Sequence, residues 1–363
     1  MKISVFGLVG LAVVLSGALP QNIIENPDKA LSPNAGRVLQ LKEVIRLSDE
    51  SGKFFFKYPR FVRSGPDGSL VIRDVDQLLR FDARGTFLGN VFRKGQGPGE
   101  MNFVSNVAFD GEALIVHSSN PEKLVWLDKN GQLIRDVSLN KAGGRVDLLF
   151  SDQKTFYFLR LGWPAAGTKF GLGNREGEVI SVSPDGQMVK KVAAFPNRFF
   201  WYGGAMMWDG VLSVPLKGRY LAVSCAPEYT LRIYDCPDSR LLRLFKRKYK
   251  RVASSEKNRG AIIGGDGTRY EMPGAEWQDD IAELYEYRDQ LWVRTSTVDD
   301  KKGILIDIYD LDGRYIDAVY LKTNGRLLGI ENGILFIRET TADETIEIAG
   351  YRIDEGREQT FPG

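Results

Sequence analysis

Histidine is almost missing from this chain of 363 residues, His117 being the only one. A single imidazole cannot build a multi-histidine metal site or supply several catalytic histidines. Serine hydrolysis fares no better, because no G-x-S-x-G elbow occurs and His117 is the only base of its kind. Cysteine is scarce too, with Cys225 and Cys236 alone. If Ala226 to Tyr229 turn a hairpin, Cys225 lies opposite Thr230 and Cys236 opposite Arg219, which leaves the sulfurs about 20 Å apart along the strands. That register reads as two small buried thiols, whereas a displaced turn would let them pair in an oxidising compartment. An excess of charge of either sign is also absent: 49 basic against 47 acidic residues give a formal net charge of +2. No global field therefore favours nucleic acid or an anionic membrane.

What is abundant points to β structure. There are 39 glycines, 20 Phe, 14 Tyr and 6 Trp, with 43% of residues hydrophobic. That composition suits a turn-rich β protein with a large core. At the N-terminus, Lys2 precedes an apolar run from Ile3 to Leu15 and the small residues Ser16-Gly17-Ala18. This reads as an export signal over residues 1–18, removed on secretion to a periplasmic or extracellular location. The competing reading is an uncleaved anchor, for which the run is short. No cysteine follows to carry a lipid. Residues 19–36 read as a polar, flexible leader with no core to join.

Self-similarity organises the remainder, residues 37–363, as one domain. Hairpin-type turns end at Gly85, Gly131, Gly186, Asp238, Gly313 and Gly356, in the contexts FDARG, LDKNG, SPDG, YDCPD, YDLDG and IDEG. The steps of 46, 55, 52, 75 and 43 residues match four-stranded blades. The long step holds an insertion, residues 248–276. Six units predict an all-β, six-bladed β-propeller. The sixth lacks a confident fourth strand, and Arg37 to Leu47 (RVLQLKEVIRL) is a strand without a unit. An N-terminal strand closing the last blade is the natural inference, since closure removes exposed sheet edges. Leu41, Val44 and Ile45 also suit helical spacing.

Three stretches carry a resemblance: PDGSLVI from Pro66 to Ile72, LRFDARG from Leu79 to Gly85, and GQGPGE from Gly95 to Glu100. On these the chain resembles exported bacterial six-bladed propellers similar to NHL-repeat proteins, the last stretch looking like their GxGPGE signature. The resemblance implies a fold and an exported location, with no activity attached.

Candidate chemistry is sparse. His117, at the end of a strand, reads as structural. Asp82, Asp128, Asp185, Asp310 and Asp312 occupy turns, where carboxylates satisfy backbone amides. Lactonase- or lyase-like propellers place Glu, Asp and Asn around a divalent ion in the channel; Asp74, Glu100, Asn106 or Glu331 could do something comparable around calcium, yet no spacing singles them out. Gly264-Gly265-Asp266-Gly267 lacks the Lys-Ser/Thr pair and the strand-to-helix context of a phosphate loop. The basic run Lys246 to Arg251 reads as a solvated strand and loop. Aromatic residues in expected connections are the better clue: Trp163, Phe199, Trp201, Tyr202 and Trp277 would need packing or a ligand there. With Arg93, Glu100 and Arg175, also in expected connections, Trp163, Trp201, Tyr202 and Trp277 form the candidate binding set. No catalytic residue, metal ligand or cofactor is assigned. The sequence thus predicts a non-catalytic exported propeller presenting loops to a protein, peptide or glycan, with a divalent-ion lactonase or lyase as the alternative. Nucleic acid is not an expected partner, nor is a stable membrane span once the signal is removed.

Overall fold

The computed structural model describes residues 23–49, 52–143, 145–152, 155–161, 171–202, 205–208, 211–225, 228–254, 261–263, 269–271 and 276–354. The expected export signal, Trp163, Gly264 to Gly267 and the turn at Gly356 lie outside them. Among the described residues no helix is long and apolar enough to cross a membrane.

Six antiparallel sheets form a ring, each built from the axis outwards. Blade 1 runs Pro59–Ser64, Leu70–Asp74, Gln77–Phe81 and Phe87–Asn90, and blade 2 runs Phe103–Asp110, Ala113–Asn120, Glu122–Leu127 and Leu133–Ser138. Blade 3 comprises Arg145–Ser151, Phe156–Leu161, Gly171–Val182 and Val189–Tyr202, with Ala205–Trp208 added at its edge. Blade 4 comprises Val211–Leu216, Tyr220–Cys225, Thr230–Asp235 and Arg240–Arg247, and blade 5 comprises Ile281–Tyr287, Gln290–Asp299, Gly303–Tyr309 and Tyr315–Leu321. Blade 6 has three late strands, Arg326–Glu331, Ile334–Thr340 and Ile346–Ile353, and takes Leu41–Leu47 as its outermost, Leu47 opposite Ile348 and Leu41 opposite Ile353. The protein is therefore a six-bladed β-propeller whose last blade is completed from the N-terminal side.

The core is divided among the gaps between blades. Leu47, Ile348 and Phe336 of blade 6 pack with Val62, Ile72 and Phe81 of blade 1, so the ring is closed by apolar burial as well as by strand pairing. Similar clusters fill the other five gaps, Phe245 meeting Tyr309 between blades 4 and 5. Burial on both faces explains this placement, because strands such as Leu70–Asp74 and Ala113–Asn120 open on unbroken apolar runs, Leu70–Ile72 and Ala113–Val116.

The segment before the closing strand departs from expectation. Residues 19–36 were expected to be a leader with no core to join, yet Ile24–Asn26 pairs in parallel with Phe245–Arg247 on the outside of blade 4. Arg37–Val38, expected as part of the closing strand, instead pairs in parallel with Val319 and Tyr320 of blade 5. Buried Asn26 explains the docking. Its Nδ2 donates to the Gly313 carbonyl at 2.9 Å, and its Oδ1 accepts the Tyr315 N–H at 2.9 Å. Asn26, the one buried residue among the described part of the leader, spends its amide on backbone groups that would otherwise be orphaned.

The recurring turn also acquires a second reason. Asp82 Oδ1 accepts the Arg84 and Thr86 amides, and Asp128 Oδ1 those of Asn130 and Gln132. Asp312 is the exception, its carboxylate pairing with Arg243 at 2.7 Å rather than serving the turn. The terminal glycine adopts positive φ and touches the preceding blade: a Cβ on Gly131 would lie 2.5 Å from Val91 Cγ1, and one on Gly186 2.6 Å from the Ser138 carbonyl oxygen. A side chain there would push neighbouring blades apart.

The basic run Lys246 to Arg251, expected to be solvated, is partly core. Arg247 bonds to the carboxylate of fully buried Asp307, which also accepts the Tyr229 hydroxyl at 2.6 Å and the Tyr315 hydroxyl at 2.8 Å. His117 is likewise structural. Its Nδ1 accepts the Leu148 N–H of blade 3 at 3.3 Å, and its Nε2 faces Glu122 Oε1 at 2.6 Å. The cysteines are free, Tyr220 opposite Asp235 holding them at opposite ends of their hairpin, and burial pushes Cys225 up to about 11 and Cys236 to about 12.

Two measurements check this account. Gly186→Ala should lower unfolding free energy by more than the ~1 kcal/mol that strained φ alone costs, whereas Gly111→Ala, with positive φ but nothing within 4 Å of its Cβ, should cost no more than that. Asn26→Ala should lower it by about 1–3 kcal/mol, read from urea midpoints; an unchanged midpoint would leave the leader unnecessary to the ring.

Candidate functional site

The ring has two unlike sides. On one, inner strands end in tight turns such as Gly65–Ser69 and Asn332–Gly333. On the other, here the loop face, residues 91–102 cross from the rim of blade 1 to the inner strand of blade 2, and the strands ending at Leu161, Tyr202 and Arg247 finish on the same side. Between the two sides runs an axial cavity of about 710 Å³, lined by all six inner strands.

The cavity wall is divided chemically. Blades 2, 3 and 4 supply Val107, Phe109, Phe150, Leu212 and Val214. Blades 5, 6 and 1 supply Glu283, Glu286, Arg326, Glu331, Arg60 and Arg63. Arg63 Nη1 donates to Glu331 Oε1 at 3.2 Å, and the Ser64 N–H donates to its other oxygen at 3.2 Å. Burial raises the Glu331 carboxyl despite the pull of Arg63. Its side chain remains 21% exposed, which puts it on the wall of an open channel. Glu286 is likewise raised by burial while accepting the Lys217 N–H at 2.9 Å. An amphipathic channel of this kind can hold a ligand with one polar and one apolar flank.

Glu331 apart, sequence reading missed these wall residues. Arg60, Glu283 and Arg326 sit on strands whose register shifts between Pro59 and Phe61, Ile281 and Glu283, and Leu327 and Gly329. Each bulge adds a residue and re-aims its neighbours, so strict alternation does not show what faces the axis. The available signal was a charge repeated three residues apart, Arg60 with Arg63 and Glu283 with Glu286, inside otherwise apolar strands.

The expected binding residues are only partly brought together. Trp201 and Tyr202 are not in a loop as expected: they end the strand Val189–Tyr202, opposite Met206 and Ala205, in a hairpin running to the loop side. Four aromatics in succession favour a strand, and Pro196 is tolerated because Ala205–Trp208 does not reach it. Arg175, opposite Asn197 on the neighbouring strand, is also in a strand; burial lowers its guanidinium to about 10. Trp277 lies apart, in the approach to blade 5, 43% exposed with Arg251 Cζ 5.9 Å from its ring centroid.

Arg93 and Glu100 sit at the rim between blades 1 and 2, where they serve the loop itself. Glu100 Oε2 accepts the Gly97 N–H at 3.0 Å, and Arg93 donates to the Gly131 carbonyl at 3.4 Å. Lys123 binds the Gly97 carbonyl at 2.7 Å. The GQGPGE stretch is thus a brace against blade 2.

The donors expected of a channel metal do not converge. Asp74 accepts the Lys57 amide, Glu100 is at the rim, Asn106 donates to the Leu148 carbonyl at 2.7 Å, and Glu331 alone of the four lines the channel. Among the described residues no three His, Cys, Asp or Glu side chains could hold an ion. Asp74, Glu100, Asn106 and Glu331 therefore do not share one ion shell.

No family model and no curated protein sequence matches the chain. Solved structures do. A putative exported protein from Bacteroides fragilis is similar with a TM-score of 0.58 and 12% identity, over 92% of this chain and 100% of that one. A member of the DUF4221 family from Bacteroides vulgatus gives 0.55 and 11%, over 88% and 99%. A gluconolactonase from Xanthomonas campestris gives 0.46 and 15%, over 87% and 98%, a likeness too loose to carry an argument. At these identities the likenesses show the fold alone.

If the donor set is read correctly, neither millimolar calcium nor a chelator should move the melting temperature, because an ion held by the native state would raise it by mass action. A calcium-dependent rise reversed by chelation would overturn the reading.

Proposed function

We propose that this is an exported, non-catalytic binding propeller, periplasmic or secreted and of the NHL-like group, that presents its loop face to a protein, peptide or glycan. The observation that supports it is the asymmetry of the ring. Among the described residues, the connection 91–102 and the hairpin that ends Val189–Tyr202 lie on one side, while the other side has short turns. Function in rigid β scaffolds is carried by such loops.

The hairpin is the principal contact in this proposal. From Phe199 to Trp208 the sequence reads FFWYGGAMMW, without a charged residue. Its strand Ala205–Trp208 is the outer edge of the blade 3 sheet. Aromatic and Met residues in an edge strand suit partner recognition more than catalysis. The axial cavity then accepts whatever part of the partner reaches past the loops.

Glycan and peptide arrays probed with the protein should yield a ligand class, and Trp201→Ser with Tyr202→Ser should weaken its capture by about tenfold or more, the variant's circular dichroism being unchanged. Undiminished capture by the double variant, or hydrolysis of lactones by the wild type, would overturn the proposal.

A further inference from the structure

Blade 6 begins with two arginines held face to face. Arg326 opens its inner strand, Arg338 lies near the end of the next, and the register sets them directly opposite. Like charges so placed repel. Arg294 of blade 5 joins them in lining a recess of about 550 Å³ between blades 5 and 6, on the loop-face side, with Ile304, Asn324, Leu327 and Thr340 in its remaining wall. The recess shares Glu283, Arg326 and Leu327 with the axial cavity.

One carboxylate stands among three guanidiniums there, and two of them already engage it. Glu283 accepts Arg294 Nη1 at 2.8 Å, Arg326 Nη2 at 3.2 Å and the Tyr285 hydroxyl. Arg338 has no carboxylate among the described residues. Its guanidinium lies 4.6 Å from the ring centroid of Tyr58, over which Arg60 also sits at 4.4 Å. Its Nη1 is shielded from solvent and has no hydrogen-bond partner in the described structure, and the same is true of Arg294 Nε. Those two atoms are out of reach of water, so a molecule in the recess is met by the remaining N–H groups of the guanidiniums.

We propose that this recess is a binding site for an anionic small molecule, whose phosphate, sulfate or carboxylate group sits between Arg326 and Arg338 with Arg294 as a further donor. The guanidinium fork matches the oxygens of these groups two at a time. The volume exceeds that of a bare oxyanion and falls in the range of small-ligand pockets, so the group is carried on a sugar-sized body, with Thr340 and Asn324 available to its hydroxyls. The site does not rest on the aromatic hairpin, which belongs to blade 3, so a small anion binds here whether or not the hairpin holds a partner.

Isothermal titration at low ionic strength with inorganic phosphate, inorganic sulfate, glucose 6-phosphate and glucose provides the test. Phosphate or sulfate and the sugar phosphate should bind with glucose silent, and Arg326→Gln and Arg338→Gln should each weaken binding about tenfold or more. Arg84→Gln, in an exposed turn of blade 1, should leave it unchanged. Removing one of two facing positive charges should also leave the melting temperature equal to or above that of the wild type, which separates lost binding from lost fold. Absence of binding by every anion at millimolar concentration, undiminished binding by both glutamine variants, or equal binding of glucose would each overturn the proposal.

Discussion

Every sheet in this ring has two faces to bury and only its neighbours to bury them against. That constraint explains why the core is split into six clusters, each drawn from two adjacent blades. A radial array with a gap would leave one face of two blades wet, including Phe336 on one side and Phe81 on the other. Closure is therefore a condition of stability for all the blades together. The strand Leu41–Leu47 meets it on the pairing side, with Leu47 fully buried where blade 6 meets blade 1.

Much of this architecture was legible because repetition amplifies weak signals. One FDARG turn says little, but the same Asp and Gly at blade-length steps fix the number of sheets and their order. The terminal glycine carries two demands at once, a left-handed backbone and a neighbouring blade within van der Waals reach, which is why it recurs. The closing strand was legible by subtraction, since blade 6 lacked a partner. Ile24–Asn26 was not, because three residues paired in parallel through their backbone leave no alternation to read.

The site was less legible than the fold for a related reason. Channel residues are set by bulges at the starts of inner strands, and a bulge is a matter of backbone register that side-chain periodicity does not encode. Arg60 and Arg326 looked like ordinary surface charges at strand ends. Only assembly of blades 5, 6 and 1 shows that they meet around Tyr58 and Glu283. Arg247 shows the converse. A residue in a run of six, five of them basic, reads as solvated, but its partner Asp307 comes from the next blade, sixty residues later. The aromatic cluster at Phe199 to Tyr202 was noticed for its composition, and its strand pairing with Ala205–Trp208 became visible only in three dimensions.

The strip from Ile24 to Leu47 lies successively along the outer edges of blades 4, 5 and 6. It therefore works as a clasp sewn on first and fastened last. A chain made from its N-terminus carries this strip with nothing to dock on until the final three blades emerge. Until then Leu41–Leu47 is an unpaired strand in search of an edge. Locking is deferred to the end of synthesis, so an incomplete ring has no means of passing as a finished one.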